Sequence, residues 1–258
     1  MKPSNDKPQG AEASDVTEDR LLDGRVLLRQ PRRGYRAGMD AALLAAACDA
    51  DEGARVVEAG CGAGAALLAA AWRRPGARFV GLERDPDAFA LAQENIALNG
   101  LQARVEVQLG DVDQPFGRTG LAPFDALIAN PPFFDDPAAL RAPDPAKRGA
   151  WMADQGLEAW TAFAGKAVRQ GGAIIVIHRA DRLADLLALL AGSCGSFCVR
   201  PVHAFADAPA KRVLVRAVKA GKAPLRLLPA LILHPRSGDK HTPEAEAILR
   251  GEADLAWD

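Results

Sequence analysis

An α/β fold built on a doubly wound, mostly parallel sheet is what the chain predicts, from three observations. Short apolar runs alternate with alanine-rich or amphipathic helical segments from about residue 40 to residue 191. Those runs end in chemically loaded residues: Glu58-Ala59-Gly60-Cys61-Gly62-Ala63-Gly64, Gly81-Leu82-Glu83, Gly110-Asp111 and Asn130-Pro131-Pro132-Phe133. Two further β-rich runs are then joined by ADAPAK, far shorter than the roughly dozen residues a parallel crossover needs. Alternation of this kind means right-handed βαβ units, and the short connection closes the sheet with an antiparallel terminal hairpin. Ligands of such sheets bind beyond the carboxyl ends of the strands, so function is sought at the strand termini.

Composition bounds the rest. The chain has 258 residues, 49% hydrophobic and 25% charged, which is ordinary for a folded protein. We expect a single domain over residues 18–258 behind a solvated tail, residues 1–17, rich in Pro, Ser, Asp and Glu. No apolar run approaches the ~18 residues of a membrane span, and the N-terminus lacks the apolar stretch of a secretory signal, so a cytoplasmic location is expected. Cys48, Cys61, Cys194 and Cys198 form no Cys-x-x-Cys pair, and the four histidines are scattered; packed, reduced thiols and no metal are expected. A net charge of −1 excludes a uniformly basic surface but not local patches. Arg20, Arg25, Arg29, Arg32, Arg33 and Arg36 face one nearby acid, Asp23, and the basic residues between Arg200 and Arg226 face Asp207 alone. Each stretch reads as a solvated face or as a contact for a polyanion.

Taken in order, LLDGRVLLRQP alternates apolar and polar residues as a hairpin edge does, and the Pro and Gly of Gln30 to Arg36 mark a loop. Asp40 to Cys48 reads as a helix, with Asp40 where the helix dipole favours negative charge. Strands are expected at Arg55–Ala59, Arg78–Leu82, Val105–Leu109, Phe124–Ala129 and Ala173–His178, and helices at Gly64–Trp72, Pro86–Leu98, Leu157–Val168 and Asp181–Ala191. Asp85-Pro86 couples an N-cap to proline at the first helical position. Cys198–Phe205 and Arg212–Lys219 make the hairpin, LRLLPALILH an edge strand, and Thr242-Pro243-Glu244 starts a last helix.

Gly60, Gly62 and Gly64 allow a tight turn and close approach of backbone to a ligand. Gly60-x-Gly62-x-x-Ala65 also fits a dinucleotide fingerprint, but Glu58 puts a carboxylate in the turn, which suits a cationic or amino-acid ligand better than a diphosphate. Glu83 is spaced to accept from ribose hydroxyls, and Asp111 to accept from an adenine amino group. Each acid alone reads equally as a cap or turn residue; together they outline a pocket for an adenosine with a charged tail. At the fourth strand end two consecutive prolines, with fixed φ and no N–H, stop the strand. The stiff turn presents an amide, a carbonyl and an aromatic face to a planar ring bearing an amine, although Asn-Pro also simply marks turns. Tyr35, the single tyrosine, is placed to pack, to stack on a base or to lie over a cofactor.

These motifs, in this order, resemble the class I S-adenosylmethionine-dependent methyltransferases that modify exocyclic or amide nitrogens. LLDGRVLLRQPRRGYRAGMDAALLAAA, GGAIIVIHRADRL, APAKRVLVRAVK and HTPEAEAILRG further resemble the bacterial adenine-N6 methyltransferases acting on the anticodon loop of valine tRNA, over about Thr17 to Arg250. The resemblance implies a Rossmann-like seven-stranded sheet with S-adenosylmethionine held by Tyr35, Asp40, Glu58, Gly60, Gly62, Gly64, Glu83, Asp111 and Asn130. It implies an RNA partner, with Arg32, Arg33, Arg36, Lys211 and Arg212 as the candidate phosphate contacts, and a catalytic turn of Asn130, Pro131, Pro132 and Phe133. Asn130 and the Pro131 carbonyl would accept the two N–H groups of the base amine, and Phe133 would stack on its ring. Adenine-N6 enzymes often carry tyrosine at the position of Phe133, and guanine-N2 enzymes share NPPF, so guanine-N2 methylation stays open. Glutamine-N5 methylation of a protein expects a recognition domain before the glycine turn, where about forty ordered residues are expected. A non-catalytic RNA-binding protein and a nicotinamide dehydrogenase are the remaining readings.

Overall fold

The computed structural model describes residues 16–32, 36–132 and 156–258. The chain opens on a hairpin of β1 (Val16–Leu21) and β2 (Val26–Pro31), then α1 (Met39–Ala47). The alternation follows as β3 (Arg55–Ala59), α2 (Ala65–Arg73), β4 (Arg78–Glu83), α3 (Pro86–Leu98), β5 (Val105–Leu109), β6 (Phe124–Ala129), α4 (Gly156–Ala167), β7 (Val168–Arg179), α5 (Leu183–Ala191), β8 (Cys194–His203) and β9 (Ala210–Lys219). β10 (Arg226–Leu227), β11 (Leu231–Ile232) and α6 (Pro243–Arg250) complete it.

The main sheet runs β10-β8-β9-β7-β6-β3-β4-β5, with β11 also on β8. β3 to β7 are parallel, and β9 is antiparallel to both β7 and β8. The expected seven strands are β3 to β9; β10 and β11 raise the sheet to nine. They are the expected edge strand cut into two pieces around Pro229, which has no N–H to give a ladder. The strand order reverses between β3 and β6, which places the carboxyl ends of both beside one crevice.

Boundaries shift where backbone chemistry overrides pattern. β1 begins at Val16, inside the tail expected through Thr17. β7 starts at Val168 rather than Ala173, because its register against β6 slips between the Phe124 and Ala126 pairings and the extra residues bulge out. Gly172 is needed there: a Cβ would lie 2.5 Å from the Asp125 carbonyl oxygen. α5 begins at Leu183, behind a 3-10 turn at Ala180–Arg182.

Two apolar clusters cover the faces of the sheet. One joins α1, α2 and the C-terminal segment to Val56, Phe79 and Ile128; the other joins α4, α5 and Phe116 to Val57, Leu127 and Ile174. Alternate residues of β3 thus face opposite layers, as strand geometry requires. The C-terminal segment is a strap: Leu255 N–H and Trp257 Nε1 donate to the Ala46 and Ala47 carbonyls at 3.0 and 2.8 Å, satisfying orphan carbonyls at the end of α1. Cys48, Cys61, Cys194 and Cys198 are free and buried. Among the described residues no helix is long and apolar enough to cross a membrane.

Candidate active site

The site grows out of the first strand end. Gly60, Gly62 and Gly64 have φ of +63°, +55° and +90°, the left-handed region that L side chains avoid. They are not equivalent. A Cβ on Gly62 would meet nothing within 4 Å, whereas one on Gly60 would lie 2.3 Å from the indole of Trp160. The ring of α4 therefore rests directly on the glycine turn. No motif in the sequence marks Trp160, because the contact joins segments a hundred residues apart.

Glu83 holds the turn from the neighbouring strand. One of its oxygens accepts from Gly62 N–H at 2.7 Å, and the other accepts from the N–H groups of Arg84 and Asp85, each at 2.9 Å. A carboxylate has about four lone-pair sites, so capacity for one further donor is left. Asp111 is likewise half engaged: Oδ1 accepts from Asp113 N–H at 3.0 Å, and Arg84 lies 3.9 Å from Oδ2 and 3.6 Å from Asp113. Burial and the charge of Asp111 push the Asp113 carboxyl up. The three strand ends are stitched together by Cys61 N–H to the Leu82 carbonyl and Gly110 N–H to the Glu83 carbonyl.

Glu58 differs from the open carboxylate anticipated from the sequence. It is 4% exposed, and its Oε2 has no hydrogen-bond partner among the described residues. Burial first, and then the charge of Glu83, drive its carboxyl well above the usual range. The same burial, with Glu58 and Glu83 nearby, drives the Cys61 thiol upward. A strand end that penalises negative charge this strongly is stabilised by a cation.

Two asparagines fasten the N-terminal hairpin to this turn. Asn95 Oδ1 accepts from Arg29 N–H at 2.7 Å, and its Nδ2 donates to the carbonyls of Arg29 and Ala63 at 2.7 and 2.9 Å. One helical turn on, Asn99 exchanges the same pair of bonds with Leu27. The side chains stand in for a neighbouring strand along β2. The repeat Asn95-x-x-x-Asn99 is visible in the sequence but does not mark the contact, since exposed asparagines at that spacing look the same.

The acceptor side lies beside the first. Ala129 pairs with Ala59 and with Val176, so Asn130 emerges next to Gly60. Its side-chain oxygen is shielded from solvent, Pro131 is buried and Pro132 exposed. Phe133, like Tyr35 and Arg33, lies outside the described residues. The remaining expected residues are spread along the edge. Arg36 is tied to Asp19 and Thr17, each at 2.6 Å, and to the Pro31 carbonyl at 3.0 Å. Arg32 is exposed, as is Lys211. Asp40 and Arg212, assigned separately to cofactor and RNA, meet each other at 3.0 Å. Among the described residues no group of three or more His, Cys, Asp or Glu could hold a metal ion.

Comparison with known proteins shows what the chain resembles. Residues 36–142 match the family model of the methyltransferase small domain. The chain is thus similar to S-adenosylmethionine-dependent methyltransferases over its first strand–helix units. It is 32% identical over 111 residues to a tRNA1(Val) (adenine(37)-N6)-methyltransferase of Yersinia enterocolitica, a match covering 43% of this chain and 44% of that protein. A protein of the same description from Haemophilus influenzae is 28% identical over 205 residues, 78% of this chain and 79% of that one. The chain thus spans less than half of the first relative's length and most of the second's. Among solved structures, one described as a predicted O-methyltransferase from Agrobacterium tumefaciens aligns with a TM-score of 0.71 at 28% identity, over 84% of this chain and 98% of that one.

The residues present fit the cofactor those methyltransferases use. S-adenosylmethionine supplies an activated methyl group on a sulfonium and carries an α-ammonium. Both charges suit a strand end whose Glu58 oxygen lacks a donor and whose Glu58 and Cys61 are pushed toward their neutral forms. The open space at Gly62 admits close approach of a ligand to the backbone, and Glu83 has one acceptor site left for a ribose hydroxyl.

Proposed function

We propose that the chain methylates the exocyclic N6 amine of an adenine in RNA, the substrate being an unpaired base of a tRNA anticodon loop. The observation that carries the reading is the Asn130-Pro131-Pro132 turn beginning beside Gly60, at the reversal point of the sheet. An exocyclic amine conjugated with its ring is a poor nucleophile. Asn130 Oδ1 and the Pro131 carbonyl accept its two N–H bonds, favour a more tetrahedral nitrogen and aim its lone pair at the methyl carbon. Acceptors fixed before the reaction act on the charge that develops in it and need no reorganisation. The nitrogen would gain the methyl group as the methyl–sulfur bond breaks, the electron pair staying on a neutral thioether, and would then release a proton to solvent. Phe133 stacks on the base, a contact of about 1–3 kcal/mol, which requires the target nucleotide to leave its own stack.

The resemblance to the tRNA1(Val) enzymes supports adenine and tRNA, and a tRNA substrate would place the enzyme in the cytoplasm. Lys211 and the arginine loop would meet phosphates, so RNA affinity should fall steeply with salt. The test supplies labelled S-adenosylmethionine with unmodified tRNA and identifies the product nucleoside by mass spectrometry. N6-methyladenosine is expected; N2-methylguanosine would transfer the reading to guanine, and methylated glutamine in a protein acceptor with no RNA product would overturn it.

A further inference from the structure

Histidines scattered in the sequence converge at one place in the fold. Parallel pairing of β11 with β8 sets Ile232 beside His203, and Leu233 and His234 N–H groups donate to the His203 and Ala204 carbonyls, each at 2.9 Å. The His234 ring then stacks on His241 at 5.1 Å and 30°, and meets Phe205 at 5.7 Å and 49°. The Arg236 guanidinium lies 4.3 Å over the Phe205 ring and is steered by Asp207. The backbone locks the imidazole: His234 Nδ1 is 2.7 Å from the Lys240 carbonyl. Four planar groups from three segments thus form one pile.

Two features point beyond packing. The outer end is open: the side chains of Arg236 and Asp207 are 61% and 66% exposed, where an ion pair adds little to stability. The pile also stands at the functional edge. β9 runs antiparallel to β7 and β8 antiparallel to β9, so the turn after β8 lies at the same end as the carboxyl terminus of β6. β8 is three strands from β6, about 14 Å at a strand spacing of ~4.8 Å. That is too far for the base held by Asn130 and within reach of its neighbours on one strand. Aromatic rings and guanidinium planes are the surfaces on which unpaired RNA bases stack, and the exposed Lys211 and Lys240 add positive charge at this end.

We infer that the Arg236–Phe205–His234–His241 pile is a second base-binding site, which stacks an unpaired RNA base flanking the acceptor nucleotide. The inference rests on the RNA reading above and adds a site to it. The experiment measures binding of an unmodified valine tRNA transcript by fluorescence anisotropy, and methyl transfer to it, for the wild type, Arg236→Lys and Arg236→Ala. Arg236→Lys keeps the charge and removes the planar face. Both variants are expected to bind the transcript about tenfold more weakly, with S-adenosylmethionine affinity and melting temperature unchanged. A 2-aminopurine beside the acceptor base is expected to be quenched on binding by the wild type and not by Arg236→Lys. Wild-type-like binding by both variants, with no change in quenching, overturns the second site and leaves the RNA reading intact. A wild type that neither binds nor methylates RNA overturns both.

Discussion

The two halves of the carboxyl edge are built differently. From β3 to β5 the functional groups come from short, contiguous motifs. Their polar atoms are largely spent on backbone N–H groups: Glu83 on three, Asp111 on one. From β6 to β11 the Asn130-Pro131-Pro132 turn is contiguous but the other groups are gathered from several segments, and arginines there are matched by aspartates: Arg179 with Asp181, Arg212 with Asp40 and Arg236 with Asp207. The first half is a socket whose Glu83 and Asp111 are already engaged by backbone N–H groups. The second is a charged surface whose ion pairs range from partly solvated, at Arg212 and Asp40, to exposed, at Arg236 and Asp207, where a pair is individually weak and can exchange for a phosphate. A small cofactor with fixed chemistry suits the former, and a large polyanion the latter.

This contrast can be broken most sharply at the junction. Asn130→Ala should reduce methyl transfer about 10²- to 10³-fold, as loss of one preorganised hydrogen-bond partner does, while calorimetry shows S-adenosylmethionine affinity changed by only a few fold. Retained turnover would remove Asn130 from the mechanism. Within the socket, Gly60→Ala should cost about 2–4 kcal/mol in urea denaturation, combining a left-handed φ with overpacking against Trp160. Gly62→Ala, with open space around it, should cost about 1–2 kcal/mol from φ alone. Equal losses would mean that Trp160 does not press on the turn.

Glu58 gives a pH signature. Its folded carboxyl titrates well above the usual range, so the folded state holds a proton that the unfolded chain releases near pH ~4.3. The associated stability is complete below that value and is lost as pH rises through the folded pKa. Glu58→Gln removes the titration, so its melting temperature should gain on the wild type as pH rises above about 4 and level off above the folded pKa. A constant difference would place Glu58 in water. The smallest effect belongs to the charged half: Asp40→Asn should change stability by less than about 1 kcal/mol, because its pair with Arg212 is partly solvated. A loss several times larger would make that pair part of the rigid architecture.

Much of the socket was legible in the sequence because its parts are local. Gly60 to Gly64, Glu83 and Asp111 follow recognisable strands, and periodicity located those strands within a residue or so. Glu58 was read as an acid near the ligand, but not as one driven toward neutrality, because burial depends on the helices packed above it. The sequence does not announce Trp160 on Gly60 or the Asn95–Asn99 clamp on β2, since both are contacts between segments that only the closed fold brings together. The hairpin of β8 and β9 was expected, yet not the histidine and aromatic pile at its turn. That pile needs β11 in parallel register with β8, which a proline-broken apolar run does not announce.

Residue order alone determined the strand–helix alternation, the glycine turn with its acids and the Asn130-Pro131-Pro132 stop, because backbone φ restrictions and side-chain periodicity act over a few positions. The tertiary structure decided which charges are paired, which acid is buried and which rings meet. Those outcomes depend on desolvation and on distances between residues far apart in the chain, and hydrogen-bonded sheet order sets both.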